Sequence, residues 1–147
     1  MTSHAAKPPI VVTHNRGLAF EARIRSHTVT LDQPTHVGGD DTGPTPVELL
    51  GAALGSCVAL YVQQFCHMRS LPYEGLRVEV QQRRGAKAVG IGEFDVRVVL
   101  PAELSEQHMV MLQRVAQSCP VHHTLTEGAT IRVELETPAA VPELAAH

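Results

Sequence analysis

The chain has 147 residues, 44% hydrophobic and 18% charged, with a net charge of −3, the profile of one globular domain able to bury a single core. Two Tyr, three Phe, no Trp and no basic stripe argue against a nucleic-acid surface. The apolar run from Leu49 to Val62 falls short of a membrane span, and MTSHAAKPP at the start lacks the apolar stretch of a signal peptide. A cytoplasmic location without a membrane partner is therefore expected.

In chain order, residues 1–8 have no usable period. Ile10–Thr13 and Leu18–Arg25 flank the turn signal HNRG and are predicted to pair as a hairpin, with Leu18, Phe20, Ala22 and Ile24 on one face. Thr28–Leu31 suits a third short strand. The stretch VGGDDTGPTP (37–46) is too rich in Gly and Pro for regular structure. It ends in a helix start: Thr45 as N-cap, Pro46 at the first helical position, and Glu48 three residues after the cap, a capping box. The helix should run to about Ser70. It is apolar on most sides and is expected to lie buried in the middle of the fold.

Leu76, Val78 and Val80, then Phe94, Val96, Val98 and Leu100, alternate with polar residues and predict a second hairpin. The group Arg83, Arg84 and Lys87 reads as its solvated turn. Leu104, His108, Met111, Leu112 and Val115 form one face of a second helix, which ends near Ser118. A helical turn can restart at Pro120, and Ile131, Val133 and Leu135 predict a last strand before the Ala- and Pro-rich residues 137–147. The expected fold class is α+β with antiparallel sheets, a single domain with its core at about residues 10–136.

Three cysteines without a CxxC, in a reducing compartment, are better read as free or redox-active thiols than as a disulfide framework. Cys57 sits among Gly51, Gly55 and Ser56. A buried structural thiol is the plain reading, but the small neighbours let a second element or a small substrate come close. Cys119 precedes Pro120, so a helix starting there would put its sulfur at a helix N-terminus and lower its pKa. Cys66, nine residues from Cys57, is expected to face away as a bystander. Cys119 with the adjacent His122 and His123 is a weak metal candidate, because adjacent side chains diverge and no second ligand group has the right spacing. Asp40 and Asp41 read as turn residues, since GGDDTG lacks the lysine of a phosphate loop.

GGDDTGPTPVELLGAALGSCVALYV, followed about sixty residues later by CPVHHTL, resembles the OsmC/Ohr family, named for osmotically induced protein C and organic hydroperoxide resistance. The likeness extends less sharply over about residues 10–136. It implies an OsmC-like α+β fold with a long central helix, assembled as an intertwined homodimer with sites near the subunit interface. The implied activity is that of a thiol-dependent peroxidase, with Cys57 as peroxidatic thiolate and Cys119 resolving it as a disulfide. An external dithiol would reset the pair, and no metal, flavin or haem is required. The family's cation for thiolate and peroxide comes from an early loop, and Arg16 in HNRG is the positional match. An ordinary turn arginine is the other reading of Arg16; Arg23 and Arg25 alternate onto a solvated strand face.

One position departs from the peroxidase pattern. There, a glutamate directly follows the helix-opening proline and orients the arginine; here Val47 stands in that place. Glu48 lies nine residues before Cys57, on the opposite helix face, and its capping role accounts for it. The rival function is a non-catalytic OsmC-like dimer that binds a small apolar or electrophilic ligand between its subunits. A domain with two inert thiols is a third reading.

Overall fold

The computed structural model describes residues 7–86 and 89–138. Strands β1 (Val11–Arg16), β2 (Ala19–Ile24) and β3 (His27–Leu31) form an antiparallel sheet in that order. Val11 lies opposite Arg23, and Phe20 opposite Leu31. The predicted hairpin and third strand are present, but the predicted buried face only in part: Ala22 is buried, while Leu18 and Phe20 are exposed and Ala19, from the opposite set, is buried. Alternation marks an apolar face, and covering that face takes a neighbour this sheet does not find among the described residues of its own chain.

A single 3-10 turn, Thr35–Val37, leads into the loop before α1 (Pro46–Met68). The helix start is the predicted one. Thr45 Oγ1 accepts from the Glu48 backbone N–H at 3.2 Å, and the Glu48 carboxylate accepts from the Thr45 N–H at 2.8 Å. These bonds satisfy N–H groups that an α-helix leaves orphaned at its start. At the other end Ser70 adopts φ +53° and the Leu71 N–H returns to the Cys66 carbonyl at 2.9 Å.

Strands β4 (Arg77–Arg84) and β5 (Ile91–Val99) form the second hairpin, with Val78 opposite Val98 and Val80 opposite Val96. Helices α2 (Glu106–Ala116), capped by Ser105, and α3 (Pro120–Glu127), capped by Cys119, follow. The core gathers on α1. Leu54, Val58, Val62 and Cys66, at i, i+4 spacing, join Phe65, Leu112 of α2 and Cys119, with Val78, Val80, Phe94 and Val98 of the hairpin packed against them. Each large side chain fully buried there contributes about 1.5–3 kcal/mol of transfer free energy. None of this cluster comes from the β1–β3 sheet.

Two expectations are corrected. Helix α1 is buried on one stripe rather than all round, since Val47, Leu50 and Leu60 are exposed. By length and composition it would suffice to cross a membrane, yet its buried stripe is the centre of a protein core. Residues 129–138 form no strand, and Ile131, Val133 and Leu135 are 83%, 80% and 96% exposed. An extended segment becomes a strand only when another backbone edge satisfies its N–H and C=O groups, and no strand of this chain pairs with it among the described residues. Of the expected loose ends, 1–8 and 137–147, residues 1–6 and 139–147 lie outside the described residues.

Candidate active site

Helix α1 carries Cys57 at mid-length, and β4 crosses the helix on the small residues that precede it. A β-carbon on Gly55 would stand 2.9 Å from Val80 Cγ2. At Gly51 the Gln82 side-chain amide passes over the helix and donates to the Val47 carbonyl at 2.6 Å. The element that closes over the small residues is thus the chain's own hairpin. Between the two remains a groove of about 320 Å³, lined by Gly51, Gly55, Ser56, Val78, Val80 and Gln82 among others.

Cys57 is half-buried at the rim of the core and Cys119 is fully buried in it. The two are neighbours. Cys119 holds its proton more tightly than an ordinary thiol, first because it is buried, and further because the adjacent Cys57 thiol acts on it through hydrogen bonding and charge. The His122 backbone N–H donates to Cys119 Sγ at 3.3 Å and works the other way. The expectation of a lowered Cys119 pKa is therefore overturned. The helix N-terminus does face the sulfur, but desolvation of the charged form outweighs it. All three cysteines are free thiols, and Cys66, wholly buried, has its pKa raised by desolvation.

Arg16 ends β1 beside an irregularity in the β1–β2 ladder. Its ionic partner among the described residues is Asp40, at 3.9 Å, with both side chains largely exposed, an arrangement that contributes little to stability. Its sheet lies outside the core that holds the thiols. The structure thus brings Cys57 and Cys119 together and leaves Arg16 on another part of the fold. Arg23 and Arg25 are exposed, and Glu48 is occupied by the capping box. Among the described residues no three His, Cys, Asp or Glu side chains gather as a metal site.

Asp32 was not singled out by the sequence reading. Almost fully buried, it accepts from the N–H groups of Gln33 (2.7 Å), Asp40 (3.2 Å) and Thr42 (3.1 Å) and from the Thr42 hydroxyl (2.8 Å). These bonds, Thr42's foremost, lower its pKa to about 2 and fix the loop that presents Asp40 to Arg16. A carboxylate directly after a strand and before a Gly- and Asp-rich loop was the available signal.

Residues 38–134 match the sequence family described as OsmC-like protein. The chain belongs to the OsmC-like family. No curated protein matches it in sequence. Solved structures of the same fold include a candidate osmotic stress induced and detoxification response protein from Psychrobacter arcticus 273-4 (TM-score 0.74, 19% identity, covering 83% of this chain and 90% of that one). An OsmC-like protein from Mycoplasma pneumoniae aligns with TM-score 0.68 and 21% identity over 80% of this chain and 86% of that one. An organic hydroperoxide resistance protein from Elizabethkingia anophelis gives TM-score 0.61 and 18% identity, over 84% and 91% respectively. At these identities the likeness concerns the fold.

Proposed function

We propose that this OsmC-like protein is a thiol-dependent peroxidase acting on organic hydroperoxides or hydrogen peroxide. The observation that carries the reading is the pairing of a half-buried Cys57 with a buried Cys119 whose proton is held by burial and by Cys57 itself. Of the two, Cys57 is the one a solute can reach, and Cys119 is the reserve thiol. The Cys57 thiolate attacks the O–O bond and becomes a sulfenic acid while the substrate leaves as an alcohol or water. Cys119 then displaces hydroxide to give a disulfide and water, and an external dithiol returns both thiols. The cycle suits a reducing cytoplasm and asks for no metal or organic cofactor.

Arg16 is our assignment for the cation that favours thiolate and polarises peroxide. Because its sheet stands outside the thiol core, it serves the site within a homodimer. The exposed apolar faces of β1–β2 and α1, and the unpaired alternation of Ile131, Val133 and Leu135, support such an assembly. An exposed row of this kind is the edge a second copy can join.

The test uses reduced protein and one equivalent of cumene hydroperoxide, followed by alkylation, digestion and mass spectrometry. A peptide joining Cys57 to Cys119 should form within seconds and be absent from Cys57→Ser. Thiols that remain free would refute the peroxidase and leave a ligand-binding dimer as the reading.

A further inference from the structure

We propose that Asp40 is the positioning residue for Arg16, the carboxylate that holds its guanidinium in place for thiolate and peroxide, an assignment that rests on the peroxidase reading above. Arginine is a long side chain with much rotamer freedom, so a task at one place needs a partner that fixes it. The start of α1 offers none. Val47 is apolar, and the Glu48 carboxylate is taken by the Thr45 N–H at 2.8 Å and the Thr45 hydroxyl at 2.9 Å. Among the described residues the ionic partner of Arg16 is Asp40, Nη2 to Oδ2 at 3.9 Å.

That contact joins two pieces of backbone that are each tied down. On the arginine side, His14 Nε2–H donates to the Gly17 carbonyl at 3.2 Å and Gly17 takes φ +52°. The His14 ring packs edge-on against Phe20, their centroids 5.3 Å apart. On the aspartate side, the Asp40 N–H donates to Asp32 Oδ2 at 3.2 Å. Asp32 keeps its charge until pH falls toward its pKa of about 2, so this anchor is present at any working pH. The Asp41 N–H donates to the Gln33 carbonyl at 3.1 Å, and the Asp32 N–H to the Pro44 carbonyl at 3.3 Å. A β-carbon on Gly39 would overlap the Gln33 carbonyl, so the loop closes tightly on itself beside Asp40. Tied at these points, it gives Asp40 a fixed base.

The distance suits positioning. At 3.9 Å the pair is a charge contact and not a hydrogen bond, so the attraction steers the guanidinium while its N–H groups stay available. A guanidinium has five such donors in a fixed plane. With the Nη2 corner turned to Asp40, the Nε and Nη1 edge is left for a thiolate and a peroxide oxygen. The adjacent Asp41, at φ +54°, makes no ion pair among the described residues and serves as the control.

The test compares Asp40→Asn, Asp40→Glu, Asp41→Asn and Arg16→Gln, with cumene hydroperoxide as oxidant and dithiothreitol as reductant. Asp40→Asn keeps the shape of the side chain and the backbone bond to Asp32. Its Tm should match wild type while kcat/KM falls about fivefold. Asp40→Glu should keep most of the rate, and Asp41→Asn should leave it unchanged. In an Arg16→Gln background, Asp40→Asn should cost nothing further.

The pKa of Cys57, read from the pH profile of its alkylation by iodoacetamide, is a second readout whose sign decides. Removal of a negative charge alone would lower that pKa. Loss of the cation from the thiolate should raise it, in Asp40→Asn as in Arg16→Gln. A lowered Cys57 pKa in Asp40→Asn, or an equal loss of rate from Asp40→Asn in the Arg16→Gln background, overturns the proposal. A wild-type rate in Asp40→Asn with Arg16→Gln impaired also overturns it and leaves the role of Arg16 standing. Indifference of both measurements to Arg16→Gln removes the Arg16 assignment and this proposal with it. If the wild type consumes no hydroperoxide, the peroxidase fails, while the alkylation profile still decides whether Asp40 acts through Arg16.

Discussion

Gly55 of α1 lies beneath Val80 of β4, so close that an added methyl group would stand 2.9 Å from Val80 Cγ2. Alanine inside a helix is ordinarily better than glycine by about 1 kcal/mol. Overpacking a core costs about 1–3 kcal/mol, and here the obstacle is a β-branched side chain held in a sheet. Gly55→Ala should therefore destabilise the protein by up to about 2 kcal/mol in urea unfolding.

Gly51→Ala should behave differently in the same measurement. The group in its way is the end of the flexible Gln82 side chain, which can swing aside at the cost of one exposed hydrogen bond to Val47. A net change within about 0.5 kcal/mol is expected, since helix propensity and the lost bond nearly cancel. Equal destabilisation by the two alanines would mean that β4 cannot yield at either position.

Asp32 gives the stability its acid limb. Its pKa falls from 3.8 to about 2 on folding, chiefly through the Thr42 N–H, with Gln33 and the Thr42 hydroxyl next. A carboxylate lowered in this way contributes stability that is complete above about pH 4 and lost as pH falls toward 2. In Asp32→Asn, the amide NH2 must face backbone N–H groups that now lack an acceptor. Its Tm should be lower at pH 7 and should decline less than wild type between pH 4 and 2. Proteolysis within 33–43 should accelerate, and a Tm–pH curve parallel to wild type would show that another carboxylate governs this limb.

The parts of the fold legible in the sequence were those fixed by local chemistry. The capping box of Thr45 and Glu48, the β1–β2 hairpin around HNRG, the β4–β5 hairpin, and the start of α3 at Cys119-Pro120 each depend on residues close in sequence. What alternation could not reveal is what covers an apolar face. Leu18 and Phe20 were expected inside and are exposed; Ile131, Val133 and Leu135 have the pattern of a strand and no edge to pair with among the described residues. The net shift of Cys119 was equally hidden, because its sign depends on how deeply α1 buries it. Gln82, which ties β4 to the start of α1, and Asp32 act on backbone that only the tertiary fold brings near. At the candidate site, the sequence named both thiols, while their juxtaposition required the structure.

The burial of the thiols orders their reactivity. In reduced protein, a pulse of iodoacetamide at pH 8 should modify Cys57 first, with Cys119 and Cys66 at least about 10-fold slower, because both are buried and keep their protons. Cys66→Ala should cost about 1 kcal/mol of stability and leave the Cys57–Cys119 linkage intact after hydroperoxide. Linkage of Cys66 to either other cysteine in place of that pair would require a different assignment of the resolving thiol.

The first turn of α1 separates a capping role from a chemical one. Thr45→Ala removes the oxygen that holds the Glu48 N–H and should destabilise the helix start by about 1 kcal/mol. Glu48 owes its lowered pKa to the Thr45 N–H and hydroxyl, so this box is intact near neutral pH and lost as pH falls through the lowered value. Glu48→Gln retains an acceptor for the Thr45 N–H and should leave the rate of hydroperoxide consumption unchanged. Val47→Glu places a carboxylate where the peroxidase pattern has one and should raise that rate by up to about tenfold, the effect of 1.4 kcal/mol on a barrier. The gain should disappear in Arg16→Gln if the new carboxylate acts by orienting Arg16. A rate lowered by Glu48→Gln and indifferent to Val47→Glu would transfer the orienting role to Glu48 itself.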